Sequence, residues 1–129
     1  MKLNMKTITF SFEKLEVWAA ARELIVVVYK LVRMFPPEER YGLGDQLRRS
    51  VVSVASNIAE GSGRGSIKEK IHFIEISYGS LLEVYCQLQI ALDLGYIRPE
   101  DLITIESKFE SISKKLTGLR ASFRKQLTV

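Results

Sequence analysis

Hydrophobic residues recur along the chain at alternating spacings of three and four, in four separate runs. In the first, Trp18, Ala21, Ile25, Val28, Val32 and Phe35 mark one side of a helix. A second stripe, Val17, Ala20, Leu24, Val27, Leu31 and Met34, repeats the spacing one residue earlier. Together they make roughly half the circumference apolar, more than one bundle core requires, so a second buried contact with another copy is expected. The next run, Leu47, Val51, Val54 and Ile58, carries Arg49, Ser53, Ser56, Asn57 and Glu60 on its other side. The third is the longest: Ile67, Ile71, Ile74, Tyr78, Leu81, Tyr85, Leu88 and Leu92. Leu102, Ile105, Phe109, Ile112, Leu116, Leu119 and Phe123 form the fourth.

The breaks between these runs are Pro36-Pro37, Gly42 with Gly44, Gly61 to Gly65, and Gly95 to Pro99. Pro36 and Pro37 lack backbone donors and push Phe35 toward an extended conformation, so the first helix stops there. Ser66 with Glu69 three residues later reads as a capping box that starts a helix at Ile67. Gly95 supplies a left-handed stop, and Pro99 suits a first helical position, with Glu100 and Asp101 against the positive end of the helix dipole. The spacing therefore predicts helices over about 13–35, 44–61, 67–94 and 99–125, in one domain spanning 1–129. Short turns between long helices make the expected fold class all-α, an antiparallel up-down-up-down four-helix bundle. Ahead of it, Ile8, Phe10 and Phe12 alternate with polar residues, which predicts an extended arm over 1–11. The chain offers that arm no partner strand, so any pairing would be with another copy.

Composition narrows the function classes. With 129 residues, 47% hydrophobic and 26% charged, the chain is too short for two domains and too apolar for a disordered segment. No apolar stretch approaches the roughly 18 residues of a membrane span, and the first ten residues lack a signal-peptide core. A cytoplasmic protein without a membrane partner is the expectation. Cys86 is the only cysteine and His72 the only histidine, which excludes an intrachain disulfide and a Cys/His zinc site.

Candidate chemistry is thin, and no cofactor or metal is expected. Glu69 and His72 form one Glu-x-x-His pair, but di-iron bundles need that pair twice. The run Gly61-Ser62-Gly63-Arg64-Gly65-Ser66 follows a helix, whereas a dinucleotide loop follows a strand. It reads as a helix C-cap and turn, with a weak phosphate contact from Arg64 and Lys68 at the start of the next helix left open. Cys86 reads as an inert, semi-buried thiol. Tyr29, Tyr41, Tyr78, Tyr85 and Tyr96 read as core or interface packing. No titratable pair has acid/base or nucleophile spacing, so the expectation is that this is not an enzyme.

Charge says more. The 19 Lys and Arg exceed the 15 Asp and Glu, giving +4 and a pI near 9.3, which favours polyanion partners without demanding one. Ser111 to Val129 holds Lys114, Lys115, Arg120, Arg124 and Lys125 and no acid, while Pro99 to Glu110 has four acids and one base. Five cations exceed what the helix dipole needs, so the end either faces a polyanion or is merely solvated. Arg48 and Arg49 form a second basic point.

The stretches FEKLEVW (12–18), YKLVRMFP (29–36), ERYGLGDQLRR (39–49) and, above all, SVVSVASNIAEGSGRGS (50–66) resemble the bacterial four helix bundle family first noticed in intervening sequences of large-subunit ribosomal RNA genes. The most specific element is Asn57-Ile58-Ala59-Glu60-Gly61 followed by Arg64 and Ser66, together with Gln46, Arg48 and Arg49. Ala55, where some relatives carry Pro, and Gly44-Asp45, where many carry Thr-Ser, depart from the pattern. The resemblance implies a bundle that assembles into a ring, typically a homopentamer, without known catalytic activity. A related branch, the accessory variability determinants of diversity-generating retroelements, looks like basic pentameric barrels that bind a reverse transcriptase and its RNA. The expected function is thus a non-enzymatic, oligomeric, RNA-binding accessory to an RNA-processing or reverse-transcribing partner. A purely structural protein scaffold is the alternative. The stripe of Arg49, Ser53, Asn57, Glu60 and Arg64 is either a network fixing the junction of the second and third helices or a binding surface.

Overall fold

The computed structural model describes residues 7–127. Four long helices account for most of them: α1 (Glu16–Val32), α2 (Leu43–Ser62), α3 (Ile67–Asp93) and α4 (Pro99–Leu127), with no strand among the described residues. Each helix packs on the one before it and α4 returns to α1, while the backbones of the diagonal helices stay more than 8 Å apart between Cα atoms. Where side chains bridge two helices, the partners run in opposite order. Ser50, Ser53 and Val54 of α2 meet Gln87, Ser80 and Ser77 of α3. Glu16 and Glu23 of α1 meet Lys115 and Lys108 of α4.

The first helix is shorter than its hydrophobic pattern. Ser11–Lys14 form a separate 3-10 turn, in which the Phe10 N–H donates to the Glu13 carboxylate at 2.7 Å, and an extended Leu15 then starts α1. At its far end α1 stops at Val32, and Pro37–Glu39 form a second 3-10 turn after an extended Pro36. The core takes Val17, Ala21, Leu24, Val28, Leu31 and Val32 from this helix, drawing on both apolar stripes. Leu24 is fully buried and Leu31 is 7% exposed, so neither stripe is left whole for another copy; Val26 and Met34 are 55% and 48% exposed.

In α2 the inward side is Leu47, Val51, Val54 and Ile58, as its pattern predicts. The small residues Gly44, Ser50, Ala55 and Gly61 are buried beside them; Ser50 and Gly61 meet α3, whereas Gly44 lies against Glu39 and Val32. On α3 the predicted stripe is broadened by Ser77, Val84, Gln87 and Ala91, so the α2–α3 seam is partly polar. The Ser77 hydroxyl donates to the Val54 carbonyl at 2.8 Å, and the single Ser50 proton is offered among the Glu83 carboxylate at 2.6 Å, the Gln46 carbonyl at 2.7 Å and Gln87 at 3.1 Å. Gly95 ends α3 with φ +76°, the left-handed stop expected of it.

Outside the core, α3 carries a second line at helical spacing: Ile76, Gly79, Glu83, Cys86, Ile90 and Leu94, all exposed. Cys86 therefore stands in solvent rather than half-buried. Residues 7–10 have no regular structure, with Ile8 and Phe10 exposed. Phe12 anchors this segment edge-on against Trp18 at 4.8 Å. The remainder of the expected arm, 1–6, lies outside the described residues. No described helix is long and apolar enough to cross a membrane.

Candidate nucleic-acid interface

The basic end of α4 is less bare than its sequence. Lys114 donates to Glu110 at 2.8 Å, one turn earlier on the same helix. That bond holds the Glu110 carboxyl below, and the Lys114 ammonium above, their ordinary ranges. Lys115 reaches Glu16 of α1 at 3.7 Å and Arg124 reaches Glu75 of α3 at 3.8 Å. Arg120 is half-buried. A one-dimensional reading finds no acid after Ser111 because the compensating acids are Glu110, one turn earlier, and Glu16 and Glu75 from other helices.

The junction of α2 and α3 is built around one close approach. A Cβ on Gly61 would lie 2.8 Å from Phe73 Cβ, so only glycine fits there. Arg64 then folds back with its guanidinium carbon 4.6 Å above the Phe73 ring, bonds Glu60, and lies 3.9 Å from Glu69. The Ser66 hydroxyl accepts the Glu69 N–H at 3.1 Å and caps α3. Lys70 donates to the Ser62 carbonyl at 3.0 Å. Asn57 does not reach the turn: its amide donates back to the Ser53 carbonyl at 2.8 Å and hydroxyl at 2.9 Å. The glycine run is a helix end and turn whose arginine is already engaged, which leaves Lys68 as its exposed cation. Glu69 is likewise occupied and His72 is exposed; among the described residues no group of three His, Cys, Asp or Glu could hold a metal.

Arg48 and Arg49 lie elsewhere. They lie near the start of α2, whereas Arg64 lies beyond its end at Ser62, about 20 Å away along the helix at 1.5 Å per residue, so the candidate cations do not form one site. Arg48 Nη2 donates to the Arg40 carbonyl at 2.7 Å, and Arg49 Nε donates to Asp45 at 2.9 Å. Here Arg33, Arg40 and Arg48 surround a cavity of about 410 Å³ walled by Tyr29, Phe35 and Glu39. A groove of about 490 Å³ continues from it past Arg49, Ser53 and Asn57, sharing Tyr29 and Arg48. Arg33 and Arg40 are not among the residues the sequence singles out. The only signal for them was a cation on either side of Pro36-Pro37.

Glu39 ties this corner together. One carboxylate oxygen accepts the Tyr96 hydroxyl at 2.7 Å, and the other accepts the Leu43 N–H at 3.1 Å. The tyrosine bond first, and the backbone bond second, hold the Glu39 carboxyl below its ordinary range, and Glu39 in turn pushes the Tyr96 hydroxyl up. Tyr96 packs on Phe35 at 5.3 Å, Tyr85 on Phe109 at 5.0 Å, and Tyr78 accepts a bond from Ser113 at 3.2 Å. Tyr41 departs from the packing expectation, being 87% exposed.

The fold is similar to a crystal structure of a protein with unknown function from the S23 ribosomal protein family of Bacteroides thetaiotaomicron. The TM-score is 0.74 at 23% identity, covering 81% of this chain and 95% of that one, a likeness that shows the fold alone. No curated protein matches the sequence. The pattern of 23S rRNA-intervening sequence proteins matches residues 13–118, all four helices but the last part of α4. The chain therefore belongs to the 23S rRNA-intervening sequence protein family.

Proposed function

We propose that this protein is a non-enzymatic, cytoplasmic, up-down-up-down bundle that assembles into a ring, typically a pentamer, and binds RNA. In this reading it serves an RNA-processing or reverse-transcribing partner, such as the reverse transcriptase of a diversity-generating retroelement. Charge is the observation that carries it. Each chain has four more cations than acids, so five copies at +4 present +20. Such binding is mostly counterion release. On single strands the logarithm of affinity then falls linearly with that of salt, by about 0.7 per neutralised phosphate, with little dependence on base sequence. Titrating labelled RNA at several salt concentrations measures this. Absence of RNA and DNA binding at low salt, where attraction is least screened, refutes it.

The outward line on α3 favours assembly, and by itself would also serve a scaffold that binds only protein. Ile76, Ile90 and Leu94 are 37%, 43% and 53% exposed along one side of a helix whose opposite side fills the core. Light scattering should give a multiple of 14.7 kDa. A monomer at micromolar concentration overturns the ring.

A further inference from the structure

We infer that the corner between α1 and α2, rather than the basic end of α4, is where a nucleotide unit of single-stranded RNA is seated. Its phosphate lies among Arg33, Arg40 and Arg48, and its base lies against Tyr29 and Phe35. The inference rests on the RNA-binding reading and assigns it a site.

Three observations support it. First, at about 410 Å³ the cavity falls within the roughly 300–1,000 Å³ of pockets that hold small molecules, and its lining divides into aromatic wall and guanidinium rim, the two chemistries of a nucleotide. Second, the cations here differ in availability from those of α4. Arg33 and Arg40 are exposed, and among the described residues neither has a carboxylate within ion-pair distance, whereas Lys114, Lys115 and Arg124 each have one. Arg48 is held in place by the Arg40 carbonyl at 2.7 Å and lies 3.8 Å from Asp45, so its guanidinium meets a ligand without first being ordered. Planar forks of this kind suit a phosphate, which can accept two parallel bonds from each. The single acid in the lining, Glu39, has both oxygens committed to Tyr96 and Leu43.

Third, the cavity opens into a second groove. Tyr29 and Arg48 border both, and the second groove is lined by Arg49 with its partner Asp45 at 2.9 Å, by the exposed Ser56 hydroxyl, and by Ser53 and Asn57, which bond each other. A strand leaving the cavity would thus meet Arg49, exchanging Asp45 for a phosphate, and then the Ser56 hydroxyl, suited to a ribose hydroxyl. This arrangement fits a chain of nucleotides better than an isolated phosphate.

The test compares the full chain with Arg33→Gln/Arg40→Gln and with Arg120→Gln/Arg124→Gln/Lys125→Gln, using the anisotropy of a labelled twelve-nucleotide RNA across a salt series. Removing these contacts to the seated phosphate should make the salt slope shallower by about 0.7 and weaken binding about 5-fold at 0.1 M salt. Circular dichroism and light scattering should match the unaltered chain, and either single variant, giving about half the slope change, replaces the double variant if it fails to fold. A free nucleoside monophosphate at millimolar concentration should displace the RNA only weakly. An unchanged slope in the Arg33/Arg40 variant, with a flattened one in the α4 variant, overturns the site while RNA binding stands. Failure of the unaltered chain to bind RNA at low salt overturns both.

Discussion

Gly61 and Gly118 are both helical glycines, and the same substitution should move stability in opposite directions at the two. At Gly61 a new Cβ meets Phe73 Cβ at 2.8 Å, an atom one bond from the α3 backbone that cannot swing aside. Overpacking of this kind costs about 1–3 kcal/mol. Replacing glycine in a helix returns at most about 1 kcal/mol, and less here because Gly61 is next to last in α2. The net for Gly61→Ala is a loss of about 1–2 kcal/mol. At Gly118 an added Cβ has nothing within 4 Å, so only the helix term remains, a gain of about 0.5–1 kcal/mol. For a chain of this size each kcal/mol shifts Tm by about 3–5 °C. Gly61→Ala should therefore melt about 3–10 °C lower and Gly118→Ala about 2–5 °C higher. Calorimetry at one fixed protein concentration reads both, since assembly makes Tm depend on concentration. A Gly61→Ala chain as stable as Gly118→Ala would show that α2 and α3 do not approach at this position.

Most of the helix pattern was legible because each core stripe repeats over many turns within one segment. Leu47, Val51, Val54 and Ile58 needed no partner to be seen. The start of α1 was not legible, because Phe12 continues the apolar run while Glu13, by accepting the Phe10 N–H, closes a 3-10 turn instead. Nor could spacing alone say which of two adjacent stripes on α1 faces inward; the answer, residues from both, follows from the neighbouring helices. The site was less legible still. Lys115 and Glu16 are 99 positions apart in the sequence and 3.7 Å apart in the fold, so a basic tail in one dimension becomes a set of ion pairs in three. The Arg64 motif was visible as a pattern, but its use of the Phe73 ring depends on how α3 returns. Arg33 and Arg40 were missed for the converse reason: they gain meaning only where two turns fold one cavity.

Two further outcomes separate core from surface and fix the role of Glu39. Leu31→Asp should unfold the chain, whereas Ile90→Asp should leave helix content intact and lower the mass seen by light scattering; the reverse pairing would place the interface on α1. The Glu39–Tyr96 bond makes a two-sided pH prediction. A carboxyl whose folded pKa is lowered contributes stability that is present above its unfolded value, near 4.5, and lost as pH falls through the lower folded value. A tyrosine hydroxyl whose folded pKa is raised contributes stability present below its unfolded value, near 10.0, and lost as pH rises through the higher folded one. Other carboxyls also titrate in acid, Asp101 beside Arg98 and Glu110 beside Lys114 among them, so the overall pH profile does not isolate this bond. The difference between the unaltered chain and Tyr96→Phe does, because those groups are common to both. Measured by urea unfolding, that difference should be level from about pH 5 to pH 9 and diminish on both sides. A difference that stays constant through both limbs would mean that Tyr96 contributes only its ring packing on Phe35, and that the hydrogen bond to Glu39 does not hold this corner of the bundle.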